Sequence, residues 1–354
     1  MKKVLLTGGG TAGHVTPNLA LIPYLKDAGF EIEYMGSYNG IEKSLVTREG
    51  IPYHGISSGK LRRYMDIQNL TDPVRIMKGF SEARRYMKSH KPDVVFSKGG
   101  FVSVPVIFAA SGLGIPVIIH ESDLSPGLAN KLSIPRATKV CYSFPETKEY
   151  LHNVEAIHTG LPVRDSLFSG SAEKGLKLCS FTDNKPILLI IGGSLGSAAI
   201  NDAVRAALPE LLPDLNIIHI CGRDKLDPQY NGMSGYIQFE YINEELPDMF
   251  AAADIVISRA GANVINELLA INKPALLIPL GTNASRGDQI LNAESFERQG
   301  FSYVLYEEEL KKESLLEAVE QVMTKKEGYT QAMEQSDMNQ AVIKIADIID
   351  RNIL

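Results

Sequence analysis

At 354 residues and 38.8 kDa, the chain exceeds one ordinary hydrophobic core and fits two domains of about 150–200 residues each. Apolar residues make up 44% and charged residues 22%, which excludes a disordered chain, and no run of about 18 apolar residues exists to span a bilayer. The net charge of −6 divides into +5 over residues 1–160 and −11 over residues 161–354; this argues against a general nucleic-acid binder and leaves room for a basic surface on the first half.

The chain begins Met-Lys-Lys and runs straight into a strand, with no small-residue cleavage site, so no signal peptide is expected. Cys141, Cys179 and Cys221 lie about 40 residues apart, neither a disulfide framework nor a zinc pattern, which points to a reducing cytosol. Strands are predicted at residues 3–7, 31–35, 53–56, 94–97, 117–120, 139–142 and 156–159. The longest apolar stretch, 104–119, is broken by Pro105, Gly112, Gly114 and Pro116, and reads as a buried helix, a turn and a strand.

The first strand leads into Gly8-Gly9-Gly10-Thr11-Ala12-Gly13, a formal G-x-G-x-x-G. A nicotinamide enzyme would want an acidic residue closing the second strand, but that strand ends in Gly36-Ser37. The turn therefore suits another anion or a sugar at a helix N-terminus, or is purely structural. His14 follows directly, as a general base for an attacking hydroxyl or as a substrate binder. Residues 60–91 carry nine Lys and Arg against three acids. Within them Ile76, Met77 and Phe80 fall one turn apart beside Arg75, Lys78, Arg84 and Arg85. That pattern suits a helix lying on anionic lipid, or an amphipathic helix facing the core.

After Gly160 the pattern breaks and then restarts. Strands are predicted at 187–191, 217–221, 236–240, 255–258, 275–278 and 303–306, and a final helix over 339–349 that packs back on the first domain. The runs opening at Val4 and Leu188 share a hydrophobic strand ending in paired glycines, 184 residues apart. The expected architecture is α/β: two Rossmann-like domains with parallel sheets facing across a cleft, over residues 1–162 and 163–335, with 336–354 returning to the first.

In the second domain, residues 192–197 (GGSLGS) follow a strand, and Ser194 and Ser197 offer hydroxyls beside free helix N–H groups: a diphosphate site or a structural turn. Glu267 shares a helical face with Asn263 and is placed to accept two ribose hydroxyls, or is an ordinary surface acid. Asp288, Gln289 and Asn292 stand where sugar hydroxyls are read. No Asp-x-Asp ends a strand and the seven histidines are scattered, so no metal is expected to hold a diphosphate, and Arg164 at the domain junction supplies the charge instead.

In these motifs taken together, the chain resembles the MurG family, cell-wall enzymes of the two-Rossmann GT-B glycosyltransferase type. The resemblance rests on residues 8–17 (GGGTAGHVTP), 98–105 (KGGFVSVP), 120–121 (HE), 127–131 (GLANK), 160–164 (GLPVR), 192–196 (GGSLG), 259–267 and 289–293, over nearly the whole length. It implies inverting transfer of N-acetylglucosamine (GlcNAc) from UDP-GlcNAc to the 4-hydroxyl of N-acetylmuramic acid in lipid I, giving lipid II, on the cytoplasmic face of the membrane as a peripheral protein. Carried over, Thr11, Ala12, Gly13 and His14 face sugar and acceptor, with His14 the base. Arg164 and Ser194 hold the diphosphate, Ile242 meets the uracil, Glu267 the ribose and Gln289 the sugar hydroxyls, while Asn130 sits near the acceptor. The family's His-Glu-Gln-Asn is His120-Glu121-Ser122-Asp123 here, and the loop before Gln289 lacks the usual histidine. A transferase with another lipid acceptor, a UDP-GlcNAc 2-epimerase and a catalytically idle binding module are the alternatives.

Overall fold

The computed structural model describes residues 2–59, 68–193, 196–282, 287–336 and 340–353, with 68–71 described by backbone alone. The basic residues from Lys60 to Arg63, Ser194, and part of the loop before Gln289 therefore lie outside the described residues. By internal packing the chain divides into two units, residues 1–164 with 340–354, and residues 165–339.

The first unit runs β1 (Lys2–Thr7), α1 (Thr16–Asp27), β2 (Phe30–Ser37), α2 (Ile41–Arg48), β3 (Tyr53–Ile56), α3 (Gln68–His90), β4 (Val94–Ser97), α4 (Ser103–Ser111), β5 (Val117–Glu121), α5 (Leu128–Ser133), β6 (Lys139–Tyr142) and β7 (Glu155–His158). Its strands form one parallel sheet in the order β3-β2-β1-β4-β5-β6-β7. Because β1 lies inside the sheet, both its faces are covered, and Val4, Leu5 and Leu6 are apolar without alternation. Alternate residues go to opposite cores: Val4 and Leu6 join Leu21 and Leu25 of α1, while Leu5 joins Ala83 and Met87 of α3 and Val106 of α4.

The second unit runs α6 (Ala172–Cys179), β8 (Ile187–Ile191), α7 (Ala198–Leu211), β9 (Asn216–Ile220), β10 (Tyr236–Phe239), α8 (Leu246–Ala252), β11 (Ile255–Ser258), α9 (Ala262–Ala270), β12 (Ala275–Leu277), α10 (Asp288–Arg298), β13 (Ser302–Val304) and α11 (Lys312–Glu334). Its parallel sheet has the order β10-β9-β8-β11-β12-β13, so β8 holds the central place that β1 holds in the first sheet. Leu188 and Ile190 pack with Val204 and Leu208 of α7 and with Leu315 and Val322 of α11. The last helix, α12 (Ala341–Asp350), belongs to the first unit: Val342, Ile345 and Ile349 enter the core of α1, and Lys2 Nζ meets Asp350 Oδ1 at 2.5 Å.

In such doubly wound sheets the strand order reverses beside the central strand, and loops at the strands' carboxyl ends diverge there to leave a crevice. Both glycine turns of the sequence sit at that point, one after β1 and one after β8.

One expectation for α3 changes. Phe80 is half-buried and packs against the core shared with α4, because it follows Ile76 by one turn on the face that meets the sheet. Among the described side chains of this helix, the exposed large apolar residues are Val74, 70% accessible, and Met77, 65% accessible.

Candidate functional site

In the first unit, the turn after β1 is held from beneath. Asn18 Nδ2 of α1 donates to the Thr7 carbonyl and to the Tyr34 hydroxyl, each at 3.1 Å, and the Tyr34 hydroxyl donates to the Gly8 carbonyl at 2.7 Å. Burial pushes the Tyr34 phenol well up, so it stays a donor. From the other side the buried Glu42 carboxylate accepts from Gly10 N at 3.2 Å, Ser37 N at 2.9 Å and Ser37 Oγ at 2.5 Å. Thr11 and Ala12 are exposed and Gly13 and His14 half-buried, on the short 3-10 helix Ala12–His14 that leads into α1. His14 Nδ1 lies 3.0 Å from Thr11 Oγ1. When Nδ1–H donates to that hydroxyl, the ring lone pair is at Nε2, the arrangement a general base needs.

Beside this turn, β4 is followed by Lys98-Gly99-Gly100. Gly99 and Gly100 have φ of 88° and 85°, and a Cβ on Gly100 would collide with the carbonyl oxygen of Gly9, so only glycine lets the two turns touch. Gly99 N donates to Ser97 Oγ at 3.1 Å, and Ser103 Oγ donates to the Gly99 carbonyl at 2.6 Å. Beneath lies a buried polar network. Lys98 Nζ reaches His120 Nδ1 and Ser122 Oγ, both at 2.6 Å, and His120 Nε2–H donates to the Gly160 carbonyl at 2.8 Å. Glu121 accepts from Ser122 N, Asp123 N, Gly127 N and Asn130 Nδ2, at 2.8, 3.0, 3.1 and 2.7 Å. Burial lowers Lys98 to about 7 against the pull of Glu121 and Asp123. Burial, then the nearby Lys98, takes His120 well below its usual value. Burial and Asp123 raise Glu121.

Asn130, expected near an acceptor, is 5% exposed and spends its amide on Glu121; its Oδ1 has no hydrogen-bond partner among the described residues and faces Gly99. Arg164 is exposed and is the last residue of the first unit.

In the second unit, Gly196 has φ of 67° and a Cβ there would strike the carbonyl of Cys221, so Gly196 lies directly against the loop after β9. Ser197 caps α7, its Oγ accepting from Ile200 N at 3.3 Å. Arg259, at the end of β11, ties the neighbouring loops together. Its Nη2 donates to Ser197 Oγ at 2.7 Å and pairs with Glu307, while Nη1 donates to the carbonyls of Ile278 and Pro279 at 3.2 and 3.3 Å. Glu267 is half-buried on α9, one turn beyond Asn263. Gln289 Oε1 accepts from Leu280 N at 3.0 Å, which sets the head of α10 against the end of β12. Ile242 is buried, with Tyr241 exposed beside it in the loop after β10. Thus Ser197, Glu267, Gln289 and Ile242 all stand beyond strand carboxyl ends of the second unit. Glu42, Tyr34, Lys98 and Arg259 hold these loops and were not picked out as site residues from sequence, because each acts on a partner remote in the chain.

On α3, Arg84 and Arg85 are exposed, Arg75 lies 3.8 Å from Asp72 and Lys78 3.8 Å from Glu82. No helix among the described residues is long and apolar enough to cross a membrane.

Residues 4–142 match the glycosyltransferase family 28 N-terminal domain, and residues 187–351 match the glycosyltransferase family 28 C-terminal domain. A protein of Lachnoclostridium phytofermentans named UDP-N-acetylglucosamine–N-acetylmuramyl-(pentapeptide) pyrophosphoryl-undecaprenol N-acetylglucosamine transferase is 59% identical, over 99% of this chain and 99% of its own. Proteins of the same name from Lachnospira eligens and Clostridium botulinum are 57% and 56% identical, again over 99% of both chains. Among solved structures, MurG of Acinetobacter baumannii aligns with a TM-score of 0.81 at 28% identity, over 99% of this chain and all of that one. The UDP-GlcNAc 2-epimerase of Neisseria meningitidis aligns at 0.70 with 15% identity over 99% of this chain and all of its own, a likeness of fold alone.

Proposed function

The chain belongs to glycosyltransferase family 28, with the GT-B fold of two parallel-sheet α/β domains, and from that premise we propose that it transfers N-acetylglucosamine from UDP-GlcNAc to lipid I, forming lipid II for the cell wall. The observation that carries the reading is the identity of 59% with a transferase of that name over both whole lengths.

The reaction is a single inverting displacement. The 4-hydroxyl of N-acetylmuramic acid attacks the anomeric carbon of GlcNAc, the bond to UDP breaks, and the β-linked disaccharide forms. His14 Nε2 takes the hydroxyl proton, with Thr11 orienting the ring through Nδ1. The departing diphosphate is stabilised by Arg164 and by the backbone donors of the turn into α7, which Ser197 and Arg259 hold in place. Glu267 takes the ribose, Gln289 the sugar hydroxyls, and the loop at Ile242 the uracil. Donor binding is proposed to proceed without a resident metal, Arg164 and the backbone donors supplying the charge that meets the diphosphate.

The protein works on the cytoplasmic face of the membrane as a peripheral enzyme, drawn to anionic lipid by Arg75, Lys78, Arg84 and Arg85 of α3. Purified protein given radiolabelled UDP-GlcNAc and lipid I tests the reading. Label should pass into a β-linked disaccharide lipid. Absence of transfer to lipid I, or release of UDP-ManNAc without acceptor, would refute it.

A further inference from the structure

The Lys98 side chain is fully buried, yet it belongs to the last residue before a turn at a strand's carboxyl end, where ligands bind. A buried amine costs several kcal/mol in general unless its hydrogen bonds are met and opposite charge is near. Here Nζ has two partners at 2.6 Å, His120 Nδ1 and Ser122 Oγ, and the buried Glu121 carboxylate lies in the same network. His120 is turned to accept because its other nitrogen donates to the Gly160 carbonyl.

What this arrangement bears on is the turn above it. Gly99 lies against the side chain of Asn130, Gly100 against the backbone of Gly9, and Asn130 itself is tied to Glu121. The turn thus joins the loops after β1, β4 and β5, and Lys98 stands at its root.

We propose that Lys98, clamped by Ser122 and His120, is a positioning residue for the lipid acceptor: it sets the Gly99-Gly100 turn, and through it the Gly9 turn and Asn130, in the geometry the acceptor docks on. This rests on the transfer reaction proposed above. The clamp is built within the first unit, whereas the ribose and the uracil are assigned to the second, so its loss should be felt in acceptor recognition and little in UDP binding.

Steady-state kinetics with UDP-GlcNAc and lipid I, together with calorimetry of UDP, test this in Lys98→Met, Ser122→Ala and the double variant. Lys98→Met should raise the acceptor KM about 10-fold or more and Ser122→Ala about 3- to 10-fold. The double variant should match Lys98→Met within about two-fold, since both break one clamp. UDP affinity should stay within about two-fold of wild type, and the UDP-GlcNAc KM should rise by a smaller factor than the acceptor KM, since Thr11 to Gly13 face the sugar. Should Lys98→Met fail to fold, Ser122→Ala decides alone. An unchanged acceptor KM in Ser122→Ala, or acceptor and donor KM rising by the same factor, would overturn the inference while an active wild type upholds the reaction. A wild type inactive on lipid I would overturn the functional reading and this inference with it.

Discussion

His14 Nδ1 and Thr11 Oγ1 meet at 3.0 Å across the short helix Ala12–His14, so the ring is oriented by a residue three positions away. Replacing His14 by Ala should lower turnover by about 10²–10⁴-fold, the range for a positioned base, and leave UDP affinity near wild type. Thr11→Val should retain more activity than His14→Ala. A fall of only a few-fold in His14→Ala would make His14 a binder, with Glu121 and Asp123 the next residues to test.

UDP should bind equally well, within a few-fold, with and without EDTA in calorimetry; binding lost in chelator would contradict the metal-free site. Arg164→Ala should weaken UDP by about 1.5–3 kcal/mol while scarcely affecting uridine, since only the former carries phosphates to contact. Equal losses for both ligands would remove Arg164 from the diphosphate.

Arg259 is 9% exposed and pairs with Glu307 while bonding Ser197 Oγ and two carbonyls. Arg259→Met leaves those acceptors and a partly buried carboxylate without their donor. Denaturant unfolding should show a loss of about 2–4 kcal/mol, and UDP should bind more weakly because the turn into α7 loosens. Wild-type stability in this variant would contradict the role given to Arg259.

His219 is fully buried, with Tyr236 Oη 2.9 Å from Nδ1 and Asn201 Oδ1 3.0 Å from Nε2, and burial lowers it to about 3. The folded pKa is depressed below the unfolded value, so the unfolded chain binds the extra proton. The contribution is complete above about pH 6.5 and is lost progressively as pH falls toward 3. In His219→Gln the stability curve between pH 6 and 4 should be shallower by up to about 1.4 kcal/mol per unit. An unchanged slope would mean that His219 is not held neutral.

Membrane binding should need anionic lipid and weaken in salt, each basic residue near the surface adding about 1 kcal/mol. The variant to compare is Arg84→Glu/Arg85→Glu/Met77→Ser, which avoids Phe80 because that ring supports the core. Vesicle co-sedimentation should fall sharply in it while UDP binding persists. Sedimentation indifferent to lipid charge would return α3 to a purely structural role.

The strand positions were legible because buried parallel strands must be continuous apolar runs, and 187–191 or 94–97 can be little else. The glycine turns were legible too, since backbone that must pack on backbone admits no Cβ. Phe80 was not: period alone puts it beside Met77 on α3, and only the packing of α4 tells which flank is inside. Asn130 likewise belongs to a readable motif, but its amide turns in to Glu121.

By itself, then, the order of apolar runs and glycines in this chain determined two doubly wound parallel sheets and the loops at which ligands bind, because those features depend on local period and backbone sterics. The tertiary structure alone decided which polar groups hold those loops. Glu42 reaches Gly10 across 32 residues, Lys98 reaches Ser122 across 24, and Arg259 reaches Ser197 across 62. A hydrogen bond needs its partners about 3 Å apart in space and is indifferent to their separation along the chain.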